Sequence, residues 1–351
     1  MKQYFLYILI FSSILGFSQG PRFTQYYAAP LLLNPALAGA TKSHRAILNT
    51  RAQWNGLAGG GFNTGAFSYD VNLAPLRSGV GVVALFDQAG TARLRSSEIH
   101  GFYSYYAAVS KHLNFRLGLQ GSFVSRDINY TNLVFADQFS GTRQVENNTA
   151  DEVSNFDRVS YGDLGTGIII YDEKNYWVGA SLGHLLEPNQ GFLNESVLPR
   201  VFSLHGGYNF YILKNPLQPK EDGIKITPSF LYQSQAKFDQ LDVGAYLSKD
   251  QFSFGTWFRG IPFKEDFNVN NVDAVNFSIG YKFNAYKIGY SYDVTISSLG
   301  LRNTGGTHEL SIIYLFDIGK EKIPVIKELP CPDFKRNKKE KLIPKSEVDT
   351  F

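Results

Sequence analysis

The stretch VDAVNFSIGYKFNAYKIGYSYDV, residues 272–294, decides the fold class because its apolar and polar side chains alternate. Its first half has apolar residues at every second position, namely Val275, Phe277, Ile279, Tyr281 and Phe283. The same period of two resumes after Asn284 with Tyr286, Ile288, Tyr290, Tyr292 and Val294. Since successive side chains of a strand point to opposite faces, this pattern predicts two antiparallel strands, each with one apolar and one polar face.

The same alternation recurs along most of the chain and predicts about fourteen strands. Most segments contain about 9–14 residues, a length that suits tilted strands crossing a bilayer. Strands of soluble domains average only about 5–6 residues. We therefore expect an all-β fold, a transmembrane antiparallel β-barrel in which mutual pairing removes the open edges. The segments lie near residues 45–54, 64–73, 79–87, 96–109, 113–126, 160–171, 175–185, 200–212, 224–233, 240–248, 251–259, 272–283, 285–294 and 305–316.

The predicted connections also fit a barrel. Short turns follow most even-numbered strands, and longer loops follow odd-numbered ones, although the connection at 214–223 is long and the one at 234–239 is short. In outer-membrane barrels the short turns are periplasmic and the long loops extracellular. We therefore expect an integral outer-membrane protein with both termini in the periplasm. The predicted long loops are 55–63, 127–159, 186–199 and 260–271.

Composition excludes several other classes of protein. Charged residues make up 19% of the 351 residues, aromatic residues make up 15%, and there are 33 glycines. This is too apolar for a disordered chain, and one cysteine cannot form an internal disulfide. A formal net charge of +3 gives no electrostatic reason to expect nucleic-acid binding. No apolar run of about 18 residues follows the leader, which argues against spanning helices.

Two terminal regions differ from the alternating part. Residues 1–18 read as a signal peptide, with Lys2 before an apolar run and small residues at Gly16 and Ser18, so cleavage is expected before Gln19. The tail, residues 317–351, contains KRNKKEK at 335–341 and is expected to be a solvated periplasmic extension. Within it, Cys331 is either an anchor against the barrel or a partner, or an idle thiol.

Residues 19–44 precede the barrel proper, which we place at 45–316. Prolines prevent this segment from forming a regular strand, yet its sequence is largely apolar. It is therefore expected to pack as a plug at the mouth or in the lumen. Its candidate plug residues are Pro30, Leu32, Asn34 and Pro35.

The polar face of the predicted wall carries charges of both signs. Inside a lumen such charges would pair across neighbouring strands, and Arg51 and Glu309 are expected to meet where the first strand pairs with the last. Solvated charges on a soluble sheet are the alternative, which strand length and aromatic content disfavour. The candidate pairing residues are Arg51, Asp70, Arg116, Asp293 and Glu309.

None of the motifs in the sequence predicts a catalytic, cofactor or metal site once the predicted secondary structure around it is considered. Gly179-Ala180-Ser181-Leu182-Gly183 matches GxSxG formally, but a nucleophile elbow needs a sharp turn before a helix, and here the segment alternates as a strand. His184 and His205 could meet on adjacent strands, which is weak support for a metal site. We expect no catalytic residues, no cofactor and no metal.

Seven motifs are distributed along almost the whole chain. They are FTQYYAAPLLLNPALAG at 23–39, LVFADQF at 133–139, YWVGASLGHLLEPNQ at 176–190, LPRVFSLHGGYNF at 198–210, KIGYSYDVTIS at 287–297, GGTHELSIIYLF at 305–316 and CPDF at 331–334. In this combination and order they resemble the PorP/SprF-like outer-membrane proteins of the type IX secretion and gliding systems of Bacteroidetes. Leu37 departs from the resemblance, since an aromatic residue is expected there.

The resemblance implies an outer-membrane component that binds, helps export or anchors a secreted cargo protein with a type B C-terminal sorting domain, such as a gliding adhesin. It also implies other type IX envelope components as partners. Long loops would hold the cargo through aromatic and polar anchors. The alternative is a transport barrel for a small apolar solute with a movable plug. The candidate anchors are Phe135, Asp137, Gln138, Phe139 and Phe192.

Overall fold

A computed structural model gives the fold. It describes residues 20, 22–57, 60–90, 93–110, 113–128, 139–140, 143–144, 158–172, 175–192, 194–212, 223–266 and 269–317, and of residues 139–140, 143–144, 263–266 and 269–270 it describes the backbone only. The leader at 1–18 and the tail beyond Asp317 lie outside the described residues.

Fourteen long strands form the wall, and each overlaps one of the segments predicted from alternation. The strands are β1 (His44–Gln53), β2 (Phe62–Leu73), β3 (Ser78–Ala89), β4 (Leu94–Ala108), β5 (Leu113–Asp127), β6 (Arg158–Asp172), β7 (Tyr176–Gly183), β8 (Val201–Tyr208), β9 (Lys225–Gln235), β10 (Phe238–Lys249), β11 (Phe252–Asp266), β12 (Val269–Phe283), β13 (Tyr286–Thr295) and β14 (Thr307–Phe316).

The remaining elements are short. A two-residue strand, Phe210–Tyr211, continues the line of β8 and pairs with β9, and Phe139–Ser140 pairs with Arg143–Gln144. The helical elements are the 3-10 turns Tyr26–Ala28, Pro35–Leu37 and Ala74–Leu76 and the one-turn helices Pro30–Leu33 and Leu301–Thr304. No described helix has the length and apolar character that crossing a membrane would require.

The wall closes on itself, which confirms the predicted barrel. Every neighbouring pair of strands is antiparallel, and β1 pairs with β14 in a register that sets Arg51 opposite Glu309. The pairing of β8 with β9 completes the ring. Closure gives every wall strand two neighbours and leaves no open edge. We call the end where β1 begins and β14 ends the lower end, and the opposite one the upper end.

The two faces of the wall differ as alternation requires. Along β14, Glu309 and Ser311 are buried toward the lumen, whereas Leu310 between them is exposed on the outside. Large apolar side chains such as Phe86 and Leu119 are exposed in the same way on other strands. An outward apolar surface around a closed wall is what contact with lipid requires.

One predicted loop is wrong. Residues 260–271 were expected to form a long loop, but β11 runs to Asp266 and β12 begins at Val269. The pairing of these strands shifts register between Arg259 and Gly260 and again between Ile261 and Glu265. Such bulges interrupt the two-residue period while the strand continues, so alternation alone reads the segment as a loop.

Candidate functional site

The inside of the barrel is occupied by residues 22–43, which we call the lumen segment. Pro30 begins a one-turn helix, and Asn34 begins the next turn by accepting a hydrogen bond from Ala36 N at 2.9 Å. These turns leave many backbone carbonyls without partners inside the segment, so side chains of the wall must satisfy them. Of the candidate plug residues, Pro30, Asn34 and Pro35 are buried and Leu32 is half-buried.

Apolar side chains join the lumen segment to all sides of the wall. Three buried clusters lie inside the described barrel, and each combines residues of the lumen segment with residues of the wall. In the first cluster the Tyr26 ring meets Trp257 edge-on at 5.1 Å between centroids, and Tyr27 meets Tyr246 in the same way at 5.0 Å. The segment is therefore part of the core of this barrel.

Arg116 holds the third turn of the lumen segment, Pro35–Leu37. Its Nε donates to Ala36 O at 2.8 Å, and its Nη2 donates to Ala38 O at 2.5 Å. Ser104 Oγ donates to the same Ala38 O at 2.6 Å. Directly above, a Cβ added at Gly118 would lie less than 3.0 Å from backbone atoms of Ala36. Only glycine allows the segment to approach the wall this closely.

Asn34 bridges three strands. Its Nδ2 lies 3.2 Å from Ile168 O, 3.1 Å from Ala180 O and 3.2 Å from His205 Nε2. Because Asn34 Oδ1 already accepts from Ala36 N, the amide orientation is set, and the Nδ2 group can only donate. His205 Nε2 is then the acceptor, so the imidazole is the neutral tautomer with its proton on Nδ1.

At the lower end a buried ion pair binds the last turn. Arg45 donates from Nε to Asp70 Oδ1 at 2.8 Å and from Nη2 to Asp70 Oδ2 at 2.9 Å, and both side chains are 0% exposed. Asp70 Oδ2 also accepts from Gly39 N at 2.8 Å, and Asn72 Nδ2 donates to Gly39 O at 2.6 Å. Gly39 has φ of +60°, a conformation that favours glycine. This pair therefore fixes the point where the lumen segment turns into β1.

At the upper end five charged wall residues form what we call the upper ion network. It contains pairs at 3.0 Å between Arg51 Nη1 and Glu309 Oε2, Arg259 Nη1 and Asp293 Oδ2, and Arg259 Nε and Asp242 Oδ1. Such closely paired charges offset part of the cost of burial in the lumen.

Thr24 of the lumen segment lies at the centre of this network. Its hydroxyl accepts from Arg51 at 2.5 Å and from Arg259 at 2.9 Å and donates to Asp293 Oδ2 at 2.8 Å. Glu309 accepts from the backbone N of Thr24 and of Gln25, each at 2.8 Å. The network thus binds backbone and side chain of the segment together.

The lumen segment runs from the upper end to the lower end. Arg22 Nη2 lies 3.5 Å from Oε1 of Gln235, the last residue of β9. Burial lowers the pKa of the Arg22 guanidinium, and the neighbouring Asp242 carboxylate opposes this shift. Asp317 follows β14 at the lower end. The first residues of the lumen segment therefore lie at the upper end and Asp317 lies at the lower end. The expectation that both termini lie at the same, periplasmic end is not confirmed.

The upper end also carries the connection between β7 and β8, of which residues 184–192 and 194–200 are described. Asn189 Oδ1 accepts from Gly191 N at 3.0 Å and from Ser196 N at 2.9 Å, which closes the loop on itself. Gln190 Oε1 accepts from Arg126 at 2.5 Å and ties the loop to the wall. Phe192 is half-buried within it. The other candidate anchors Phe135, Asp137 and Gln138, the side chain of Phe139, and the tail residue Cys331 lie outside the described residues.

The histidine pair considered from the sequence does not meet. His184 Nδ1 lies 2.6 Å from Asp163 Oδ2, whereas His205 contacts Asn34. Ser181 of the GxSxG match lies within β7 and donates to Leu33 O at 3.0 Å. In the described ranges no three His, Cys, Asp or Glu side chains are placed to hold a metal ion.

The structure brings together most of the predicted charged residues and adds others. Arg51, Asp293 and Glu309 share the upper ion network, whereas Asp70 and Arg116 bind the segment near the lower end. Sequence reasoning missed Arg45 and Thr24. Arg45 could have been found, because it lies six residues before Arg51 and so shares its face of β1.

The sequence matches one protein family over residues 15–314, described as "Type IX secretion system membrane protein PorP/SprF". No curated protein matches the chain.

Several solved outer-membrane structures are similar to the barrel. The Ralstonia pickettii toluene transporter TbuX has 11% identity and a TM-score of 0.49, with 83% of this chain and 94% of that chain covered. Acinetobacter baumannii Omp33 has 10% identity and a TM-score of 0.44, with coverage of 79% and 100%. A Pseudomonas aeruginosa FadL homologue has 12% identity and a TM-score of 0.39, with coverage of 81% and 93%.

Proposed function

Because the chain belongs to the type IX secretion system membrane protein family PorP/SprF, we propose that it is a receptor for a secreted cargo protein at the outer membrane. The cargo carries a type B C-terminal sorting domain, as a gliding adhesin does, and the barrel helps to export it or anchors it at the cell surface. The tail beyond residue 317, with Cys331, contacts other envelope components of the secretion system.

The observation that carries this proposal is the contact between the lumen segment and the inner wall. Arg116, Asp70 and the upper ion network each form hydrogen bonds with backbone or side-chain groups of that segment. A lumen bound in this way offers a cargo protein little surface. The connections at the upper end are then the parts of the barrel that can hold a folded domain.

Within those connections the anchors are Phe135, Asp137, Gln138 and Phe139 in the long loop 127–159, together with Phe192. Aromatic side chains give most binding energy per residue at protein interfaces, and polar neighbours fix the orientation of the partner. The connection between β7 and β8 supports this role, since the residues just before Phe192 are bonded to Arg126 and to one another, which lowers the cost of ordering them on binding.

Deleting residues 131–155 is expected to abolish surface retention of a reporter fused to the type B sorting domain. Phe192→Ala is expected to weaken binding of the reporter by about 2 kcal/mol, the size typical of an interface anchor. Both effects are measured by labelling the reporter on intact cells that produce each variant of the full chain, with the barrel quantified by its heat-modifiable migration in gels.

The matched control is Phe283→Ala, which removes an exposed phenylalanine from the lower end of β12. Retention should stay at the level of the unaltered protein in this control. Retention that survives the deletion of 131–155 would refute the receptor proposal. Uptake of an apolar solute that depends on residues 20–40 would favour the transport alternative instead.

A further inference from the structure

A groove of about 550 Å³ runs along the surface of the wall near the upper end, over β13, β14, β1, β2, β3 and β4. Its floor is made of small residues, with Gly65 at the centre, and a Cβ added at Gly65 would meet no atom within 4 Å. A volume of this size lies within the roughly 300–1,000 Å³ typical of small-ligand sites.

The groove opens on the outward face of the wall. Leu310 and Tyr290, which line it, are each 42% exposed, whereas Glu309 and Ser291 beside them in sequence are 1% and 0% exposed. Neighbouring strand residues point to opposite faces, so Leu310 and Tyr290 lie on the side away from the lumen. The groove therefore faces the lipid.

The sides of the groove are apolar and one edge of it is polar. Phe86, Leu310 and Tyr290 form the apolar sides. Arg95 and His308 lie at its polar edge, and Ser96 Oγ donates to Glu98, which sets Ser96 inward and Arg95 outward. Tyr290 Oη and His308 Nδ1 are 2.8 Å apart, so the two side chains together form one side of the groove. An apolar trough beside a guanidinium suits an acyl chain attached to an anionic head group.

We propose that this groove binds one anionic membrane lipid, with an acyl chain over Gly65 and its phosphate beside Arg95. Two features argue for a lipid over an added protein strand. The β1, β2 and β3 strands under the groove are each paired on both sides, so no backbone edge is free to accept a strand. The positive charge at the edge complements an acidic head group, because Arg near a membrane surface attracts anionic lipid.

The test is native mass spectrometry of the purified full chain in detergent, with phosphatidylglycerol or phosphatidylcholine of identical acyl chains. We expect one retained phosphatidylglycerol per barrel. Gly65→Trp, which fills the floor, should remove this lipid. Arg95→Gln should lower retention of phosphatidylglycerol about fivefold, toward the level of phosphatidylcholine.

The matched control is Gly121→Trp, since Gly121 is another outward glycine with no atom within 4 Å of an added Cβ, but lies outside the groove. Its retention should equal that of the unaltered protein. Equal loss in Gly65→Trp and Gly121→Trp would overturn the proposal, as would full retention in Gly65→Trp. If Gly65→Trp removed a bound protein instead of a bound lipid, that result would overturn the proposal as well.

Discussion

Replacing Arg45 by alanine is expected to lower the free energy of unfolding by about 3–5 kcal/mol. The pair with Asp70 is 0% exposed on both sides, so the change leaves a carboxylate buried beside Gly39 without its cation. The expected cost is that of an uncompensated buried charge, which exceeds the value of the pair itself. The measurement is urea unfolding of the protein in detergent micelles, followed by tryptophan fluorescence.

Arg200→Ala is the matched control for this prediction. Its guanidinium lies 3.2 Å from Glu187, but the two side chains are 58% and 43% exposed. Exposed pairs contribute about 0–1 kcal/mol, so the control should unfold at nearly the same urea concentration as the unaltered protein. Similar losses in the two variants would show that Arg45 is not buried against Asp70 as described.

Deleting residues 22–40 is expected to convert a closed barrel into a water-filled pore. The wall keeps its strands, because their hydrogen bonds run between neighbours, while the lumen loses the segment that fills it. The exposed inner face then carries Arg116, Asp70 and the upper ion network without their partners in the segment, a lining that water and ions can wet. Release of a small dye from liposomes that contain each protein measures the effect.

The control for the deletion is a chain shortened by residues 318–351, purified and reconstituted in the same way. Liposomes with this control should retain the dye, and those with the deletion should lose it rapidly. Heat-modifiable migration in gels confirms that both barrels are folded. Equal release from the two would mean that the lumen segment does not close the barrel.

Much of this fold could be predicted because lipid on one side and a polar lumen on the other impose a strict alternation. The two strands within residues 272–294 each follow it on either side of the turn at Asn284, and both strands appear where predicted. Residues 260–271 do not follow it, since the pairing of β11 with β12 shifts register twice there. A bulge changes the parity of side chains while keeping the strand, and the sequence carries no periodic signal for it.

The candidate site could be predicted less fully, for two physical reasons. Arg51 and Glu309 could be assigned to the inner face because alternate residues of a strand share one face. Closure of the barrel then places the two side chains on directly opposite positions of β1 and β14. The contacts of Gly118 and Asn34 depend on the path of an irregular segment through the lumen. An irregular segment has no sequence periodicity from which its path could be predicted. The direction of that segment through the lumen was therefore also beyond the sequence.

Thiol labelling at Leu37 tests most directly whether the lumen segment packs inside the barrel. Leu37 is 2% exposed and packs with Ile169 and Trp177, whereas Leu76 in a lower-end turn is 67% exposed. In a Cys331→Ser background, Leu37→Cys should react with a water-soluble maleimide only after denaturation, and Leu76→Cys should react in the folded protein. Reaction of folded Leu37→Cys as fast as Leu76→Cys would contradict a filled lumen.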